Sequence, residues 1–306
     1  MNKVVIVGCG NVGMSYAYSL VTTGTDVDEL VLIDINKQKA EGEALDLNHA
    51  LCYAPRNMKI YAGEYSECNN ADIVCICAGR NQEVGETRTD LIIKNYEVFK
   101  SIITEINNTK FNGIYLVATN PLDTMTYVTK LLSGFSANKV IGSGTTLDTS
   151  RLRYLIGQEL NINPKNVHGY VIGEHGDTEF VPWHNLMIGC NNINDYLTEN
   201  LQSKIEYEVK TSAYDIINKK GNTSYGIGMC LQRITSAILN SSSEILTISA
   251  YDKEHDIYFA RPCIVNRKGV SKCLNLDLCD KDKHKLLDSI NALQDARDKI
   301  LKLKNK

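Results

Sequence analysis

The chain has no run of the roughly 20 apolar residues that a membrane-spanning helix needs. Its ten cysteines include no CxxC pair. Basic residues are not in excess: 33 Lys and Arg stand against 36 Asp and Glu, a net charge of −3. Internal repeats, low-complexity tracts and Pro- or Ser-rich linkers are also missing. These absences argue against a membrane protein and against the basic footprint of a nucleic-acid binder. Thiolate spacing for a zinc site is missing too, and no metal is expected. At the N-terminus, Val4–Val7 is interrupted at once by Gly8, Gly10, Asn11 and Gly13. That is no signal-peptide core, so a cytoplasmic protein starting on a strand is expected. The cysteines are expected to be free and buried, because a chain of 306 residues does not need disulfides to hold a core.

What remains is an ordinary globular balance of 43% hydrophobic and 23% charged residues. The length suits about two domains. Strand-like apolar runs (Lys3–Val7, Glu29–Asp34, Lys59–Ala62, Ala71–Ala78, Gly113–Thr119, Lys139–Gly142) alternate with helical stretches. The helices are expected over Asn11–Thr23, Asn36–Ala54, Asp90–Asn108 (Asp90 as N-cap) and Leu122–Leu132. Continuous β-branched strands separated by helices imply a doubly wound parallel sheet. Such a sheet binds its ligand at the carboxyl ends of the strands.

The second half changes pattern. Helices are expected over Thr149–Leu160, Leu201–Lys219 and Ile227–Asn240, then strands near Glu244–Ala250, Ile257–Val265 and Lys272–Leu278, then a last helix over Lys281–Lys306. The expected fold is thus α/β: residues 1–143 form the parallel-sheet domain and 144–306 an α+β substrate domain.

Gly8-Cys9-Gly10-Asn11-Val12-Gly13 fits G-x-G-x-x-G between a strand and a helix. Asp34 ends the next strand, 21 residues after Gly13. In that context the pattern is a dinucleotide fingerprint. The helix N-terminus would receive the pyrophosphate. Asp34 would take the ribose hydroxyls and repel a 2′-phosphate, favouring NAD over NADP; otherwise it caps a helix.

Further on, Asp148 and Arg151 open a helix about 60° apart on one face. They form a reacting pair or only a helix-start salt bridge. Gly173-Glu174-His175-Gly176-Asp177 sets a histidine between glycines, either reactive or merely on the surface. Ala78–Arg88, polar and containing Gly79 and Gly85, follows a strand end as a lid would, or as a solvated loop would. Thr119-Asn120-Pro121 ends the next strand. There Asn120 either reaches the ligand edge or caps a helix with Pro121 at its first position.

Taken in this order, the segments resemble the L-lactate and malate dehydrogenase family, in particular its bacterial lactate-type members. Asp46–Ala50, Thr178-Glu179-Phe180 and Lys220-Gly221-Asn222-Thr223 carry the resemblance further. It extends from Lys3 to the C-terminal helix. It implies a Rossmann NAD-binding domain and NAD as the cofactor, held by Gly8, Gly10, Asn11, Val12, Gly13, Asp34, Gly79, Arg80, Thr119 and Asn120. It implies His175 as general acid/base, Asp148 as its partner, and Arg151 as the grip on a substrate carboxylate. Arg88 would polarise the carbonyl, Asn120 would bond the substrate oxygen, and Thr223 would line the pocket.

Gln82 stands where malate-type members carry arginine. A buried dicarboxylate needs a second cation, so pyruvate and L-lactate are the expected substrates. A malate or broader L-2-hydroxyacid dehydrogenase is the alternative, and a silent NAD-binding subunit a remote one. The resemblance also implies a homotetramer, with fructose bisphosphate bound at a subunit interface by Arg153 and His168. Three features depart from the family: the thiol of Cys9, expected near the pyrophosphate, a short Tyr251–Tyr258 connection, and Arg261 before Pro262 where glycine is usual.

Overall fold

Val4–Val7, Leu30–Ile33 and Ile73–Ile76 are apolar at every position, and all of these residues are buried. Each run becomes a strand with both faces covered. In the computed structural model, which describes residues 1–80 and 88–304, twelve strands and eight α-helices are found among those residues. The strands are β1 Lys3–Val7, β2 Glu29–Ile33, β3 Lys59–Ala62, β4 Ile73–Ile76, β5 Ile114–Val117, β6 Val140–Gly142, β7 Val167–His168, β8 Met187–Ile188, β9 Asn191–Asn192, β10 Glu244–Asp252, β11 Ile257–Asn266 and β12 Gly269–Cys273. The helices are α1 Asn11–Thr23, α2 Lys37–Ala50, α3 Arg88–Asn107, α4 Leu122–Ser133, α5 Thr146–Leu160, α6 Glu199–Lys220, α7 Tyr225–Leu239 and α8 Asp280–Lys304.

Nine strands form one sheet in the order β12-β11-β10-β6-β5-β4-β1-β2-β3. Strands β1 to β6 are parallel to one another. Their order reverses at β1, which has β2 on one side and β4 on the other, and this creates the crevice where such sheets take ligands. Alternate residues of β1 feed opposite cores, as the two-residue strand period requires. Val4 and Ile6 join the core containing Tyr16, Leu20, Leu231 and Ile234 of α1 and α7. Val5 and Val7 join Phe99, Met125, Val128 and Ile300 of α3, α4 and α8. A third core, with Leu152, Ile156, Leu186 and Ile205, lies around α5, α6 and the small sheet β7-β8-β9.

The late hairpin does not form a separate sheet. β10 pairs antiparallel with β6 through Ser249 and Gly142, and β11 and β12 extend the same sheet outward. Gly142 allows this join, since a Cβ there would stand 2.8 Å from the Ser249 Cβ.

Some expected boundaries move. The last strand is Gly269–Cys273 rather than Lys272–Leu278, because the β11–β12 turn is tight and Asn266 pairs with Gly269. Gly269 takes a φ of +88° and passes close to the Asn138 carbonyl. Asp90 is in the first turn of α3 and is not its cap. Pro121, joined to Asn120 by a cis peptide, takes the cap position of α4, so Asn120 does not cap that helix. The small sheet β7-β8-β9 gave no alternating signal, since its strands are two residues long.

All ten cysteines are free. Cys9, Cys68, Cys75, Cys230 and Cys263 are buried as expected, but Cys52, Cys190 and Cys279 are exposed. Cys75 and Cys77 share a face, with their sulfurs 3.6 Å apart. No helix of the described residues is long and apolar enough to cross a membrane.

Candidate active site

The glycine turn leaves the end of β1 at the crevice. Gly8 has a φ of +105°, and a Cβ there would lie 2.5 Å from the Ala78 nitrogen. At Gly13 a Cβ would lie 2.0 Å from the Gly8 carbonyl oxygen, so only glycine lets α1 start against the turn. Gly10, by contrast, faces open space. No side chain caps α1 and its first turn holds no acid, so its leading N–H groups are suited to a phosphate. Asn11 is exposed and Val12 packs on the core below. These features fit a dinucleotide pyrophosphate.

Asp34 is not a helix cap. Asn36 caps α2, accepting from the Lys39 N–H. The Asp34 carboxylate takes the Cys9 N–H at 2.7 Å and the Asn36 N–H at 2.9 Å, which fixes the turn beside the place expected for the ribose. The Cys9 thiol does not face the phosphate side. It is buried against the Ile33 carbonyl, and burial, with the nearby Asp34 and Glu43 charges, pushes its pKa up to about 12. On the neighbouring strands, Gly79 and Arg80 follow β4, and Thr119 and Asn120 follow β5. Thr119 is buried and donates to the Ala78 carbonyl at 2.7 Å, whereas Arg80 and Asn120 are exposed.

Asp148 and His175, 27 residues apart in sequence, meet at the site. Asp148 is in the first turn of α5, where a negative charge suits the helix dipole. His175 is in a short loop whose stem is held by paired bonds between Ile172 and Phe180 and between Gly173 and Ala260. Its Nδ1 is 2.8 Å from Asp148 Oδ2. The other Asp148 oxygen accepts from Arg151 Nη1 at 2.7 Å. The helix-start salt bridge and the histidine pair therefore coexist on one buried carboxylate.

Burial alone would raise the Asp148 pKa. The His175 charge and hydrogen bond and the Arg151 guanidinium outweigh it and hold the carboxyl below its ordinary range. Burial would likewise lower the His175 pKa. The Asp148 charge and bond, with Glu179 behind them, instead raise it well above the ordinary imidazole value. An ionised carboxylate only accepts, so Nδ1 carries the proton toward Asp148 and Nε2 is left to react.

Three supporting groups were not assigned from the sequence. Asp123 of α4 is buried and accepts the His175 backbone N–H at 2.7 Å and the Ser249 hydroxyl at 2.5 Å. Burial raises its pKa to about 6. Glu179 Oε2 is 3.8 Å from His175 Nδ1. Burial and the Asp148 charge raise the Glu179 pKa to about 7. Thr178 donates to buried Glu174 at 2.6 Å and is itself held by Ser289 of α8. The sequence offers only one hint of Asp123, an acid at the start of an apolar helix; its partners are 52 and 126 residues away.

Asp148, His175 and Glu179 place ligand-type atoms within 4.8 Å of one another. The His175–Asp148 bond at 2.8 Å and the Glu179–His175 contact at 3.8 Å hold the three together. Thr223 precedes α7, whose Gly226 packs closely on Leu147, the residue before Asp148. Gln82 and the side chain of Arg88 lie outside the described residues. Arg153 points away from the site, as helix geometry predicts. Its Nε and Nη2 reach the Gly169 carbonyl at 3.4 and 3.3 Å, next to exposed His168.

Comparison with known proteins agrees with this layout. The lactate/malate dehydrogenase NAD binding domain matches residues 2–142, and the alpha/beta C-terminal domain of the same group matches residues 145–304. L-lactate dehydrogenase 2 of Bacillus anthracis is 46% identical over 311 residues, covering 98% of this chain and 99% of its own. A lactate dehydrogenase from a Medee basin deep-sea metagenome library superposes with a TM-score of 0.94 at 47% identity, over 97% of this chain and 98% of its own. The ligand-bound minor L-lactate dehydrogenase of Enterococcus mundtii gives 0.95 at 41% identity, over the same shares of the two chains.

Proposed function

The chain belongs to the lactate/malate dehydrogenase family, and from that premise we propose how its residues carry out the reaction. It is an NAD-dependent L-lactate dehydrogenase, interconverting pyruvate and L-lactate. The observation that carries this reading is the single buried carboxylate of Asp148, bonded at once to His175 and Arg151.

When bound, NADH supplies the hydride and NAD takes it back. His175 Nε2 gives a proton to the carbonyl oxygen of pyruvate and recovers it during lactate oxidation. Asp148 keeps the imidazole in the correct tautomer and stabilises its cation. Arg151 holds the substrate carboxylate with the donors that Asp148 leaves free. Asn120 bonds the substrate oxygen, Thr223 lines the pocket, and Arg88 polarises the carbonyl. Gly8, Gly10, Asn11, Val12 and Gly13 cradle the pyrophosphate, Asp34 takes the ribose, and Gly79, Arg80 and Thr119 complete the cofactor wall. Residues 1–143 thus serve the cofactor and 144–306 the substrate.

Gln82 makes the site selective for a monocarboxylate. The test is kcat/KM with NADH for pyruvate and oxaloacetate, measured side by side. A strong preference for pyruvate is expected; a preference for oxaloacetate would mean that another cation, such as Arg80, completes the pocket.

The same reading places the protein in the cytoplasm as a homotetramer activated by fructose bisphosphate. Arg153, with two guanidinium nitrogens on the neutral Gly169 carbonyl beside His168, supports an anion site there. Fructose bisphosphate is expected to lower the pyruvate concentration for half-saturation. An unchanged value would remove the activation.

A further inference from the structure

Asn95 of α3 is completely buried. Its Oδ1 accepts the Arg80 backbone N–H at 2.7 Å. Its Nδ2 donates to the Asn120 carbonyl at 2.7 Å and lies 3.5 Å from the Arg80 carbonyl. One carboxamide thus joins the segments that leave β4 and β5.

The ladder between these strands continues past their ends to the bond from the Ala118 N–H to the Ile76 carbonyl, at 3.0 Å. Beyond it, Asn120 turns into α4 through its bond to Pro121. Asn95 continues the ladder with a side chain, offering an acceptor to one segment and a donor to the other as a peptide group does. Gly79 makes room for this, since a Cβ there would fall 2.3 Å from the Thr119 methyl and 3.4 Å from Asn95 Oδ1.

We propose that Asn95 is a positioning residue for hydride transfer, fixing the spacing between Arg80 on the cofactor side and Asn120 on the substrate side. The inference rests on the roles given to those two residues above. Asn95 is not a catalytic residue; it acts through the two backbone segments it joins.

The variants are N95A, which removes both bonds, and N95D, which keeps the shape and the acceptor. Rates are normalised to NADH-binding sites titrated by nicotinamide fluorescence, so that misfolded protein is not counted. N95A is expected to lower kcat for pyruvate about 10- to 100-fold, because a misplacement of about 1 Å can cost up to about 100-fold in an oriented reaction. Its NADH affinity should stay within about threefold of wild type, since the pyrophosphate turn is untouched. The primary isotope effect from 4-deuterated NADH should rise, because hydride transfer becomes slower relative to the other steps. N95D should fall between the two. Its rate relative to wild type should recover as pH is lowered, because a protonated carboxyl regains a donor for the Asn120 carbonyl.

Wild-type kcat and isotope effect in folded N95D at alkaline pH, where its carboxyl is ionised, would overturn the inference, whatever happens to Tm. N95D also carries the test alone should N95A not fold. A wild-type protein that does not turn over pyruvate would remove the functional reading and this inference together. Normal wild-type turnover with an unaffected N95D would remove the inference only.

Discussion

At the scale of single residues, the charge state of His175 sets the pH dependence of the rate in each direction. Pyruvate reduction needs the imidazolium, so its kcat/KM should fall as pH rises through the raised His175 pKa. Lactate oxidation needs the neutral ring and should rise over the same range. Asp148 is the main support of that raised value and Glu179 the lesser one. Asp148→Asn is therefore expected to move the fall in pyruvate reduction to lower pH and to cut kcat by about 10²–10⁴-fold, the range found for acid–base groups. Glu179→Gln should move the profile in the same direction by less, because its carboxylate is 3.8 Å from Nδ1 whereas that of Asp148 is at 2.8 Å. Full pH profiles of kcat/KM for the three proteins check this. An unmoved alkaline limb in Asp148→Asn would remove Asp148 from its role.

At the scale of elements, the turn between β1 and α1 is the most demanding. Gly13→Ala places a methyl 2.0 Å from a backbone oxygen that cannot rotate away. It should cost about 1–3 kcal/mol, as overpacking does, and weaken NADH binding as well. Chemical denaturation and a fluorescence titration measure both effects; retention of both at wild-type levels would show that the turn relaxes. This turn was legible in the sequence because glycine, strand and helix signals coincide within a few residues. The six parallel strands were legible for a similar reason, since their apolar runs are unbroken. Asp148 and Arg151 could be placed on one face by helix geometry, but their contact with His175 could not be read from periodicity. It depends on a loop held by Ala260, Asp123 and Ser289, residues distant in sequence. Asn95 was hidden similarly, as one polar residue in a helix whose partners lie on two strand ends.

At the scale of the whole molecule, several buried titrating groups act in the same direction. His175 has a raised pKa, so its contribution to stability is complete below the ordinary imidazole value and is lost as pH rises through the raised one. Asp123 and Glu179 are raised to about 6 and about 7, so the folded state favours their protonated forms, and that contribution is lost as pH rises from the ordinary carboxylate range to those values. Asp148 acts oppositely, but its pKa is lowered and its contribution is lost only in acid. The apoenzyme Tm should therefore decline from about pH 5 through about pH 7 and on toward the raised His175 value, and Glu179→Gln should flatten the part below about pH 7. Differential scanning fluorimetry across that range tests the sign; a Tm that climbs with pH would contradict it.

The sheet that runs through β6 into β10 limits how modular the molecule is. The family descriptions divide near residue 143, yet backbone pairing crosses that point at Gly142 and Ser249. Helix α7 from the second half also packs on α1 of the first, with Gly228 against Ser15 and a buried Tyr16–Thr235 hydrogen bond. A fragment ending at residue 143 would carry a bare strand edge and an uncovered apolar helix face, and is expected to aggregate. Evolutionary exchange of one half for that of a distant relative would have to preserve a glycine on one side of the seam and a small side chain on the other.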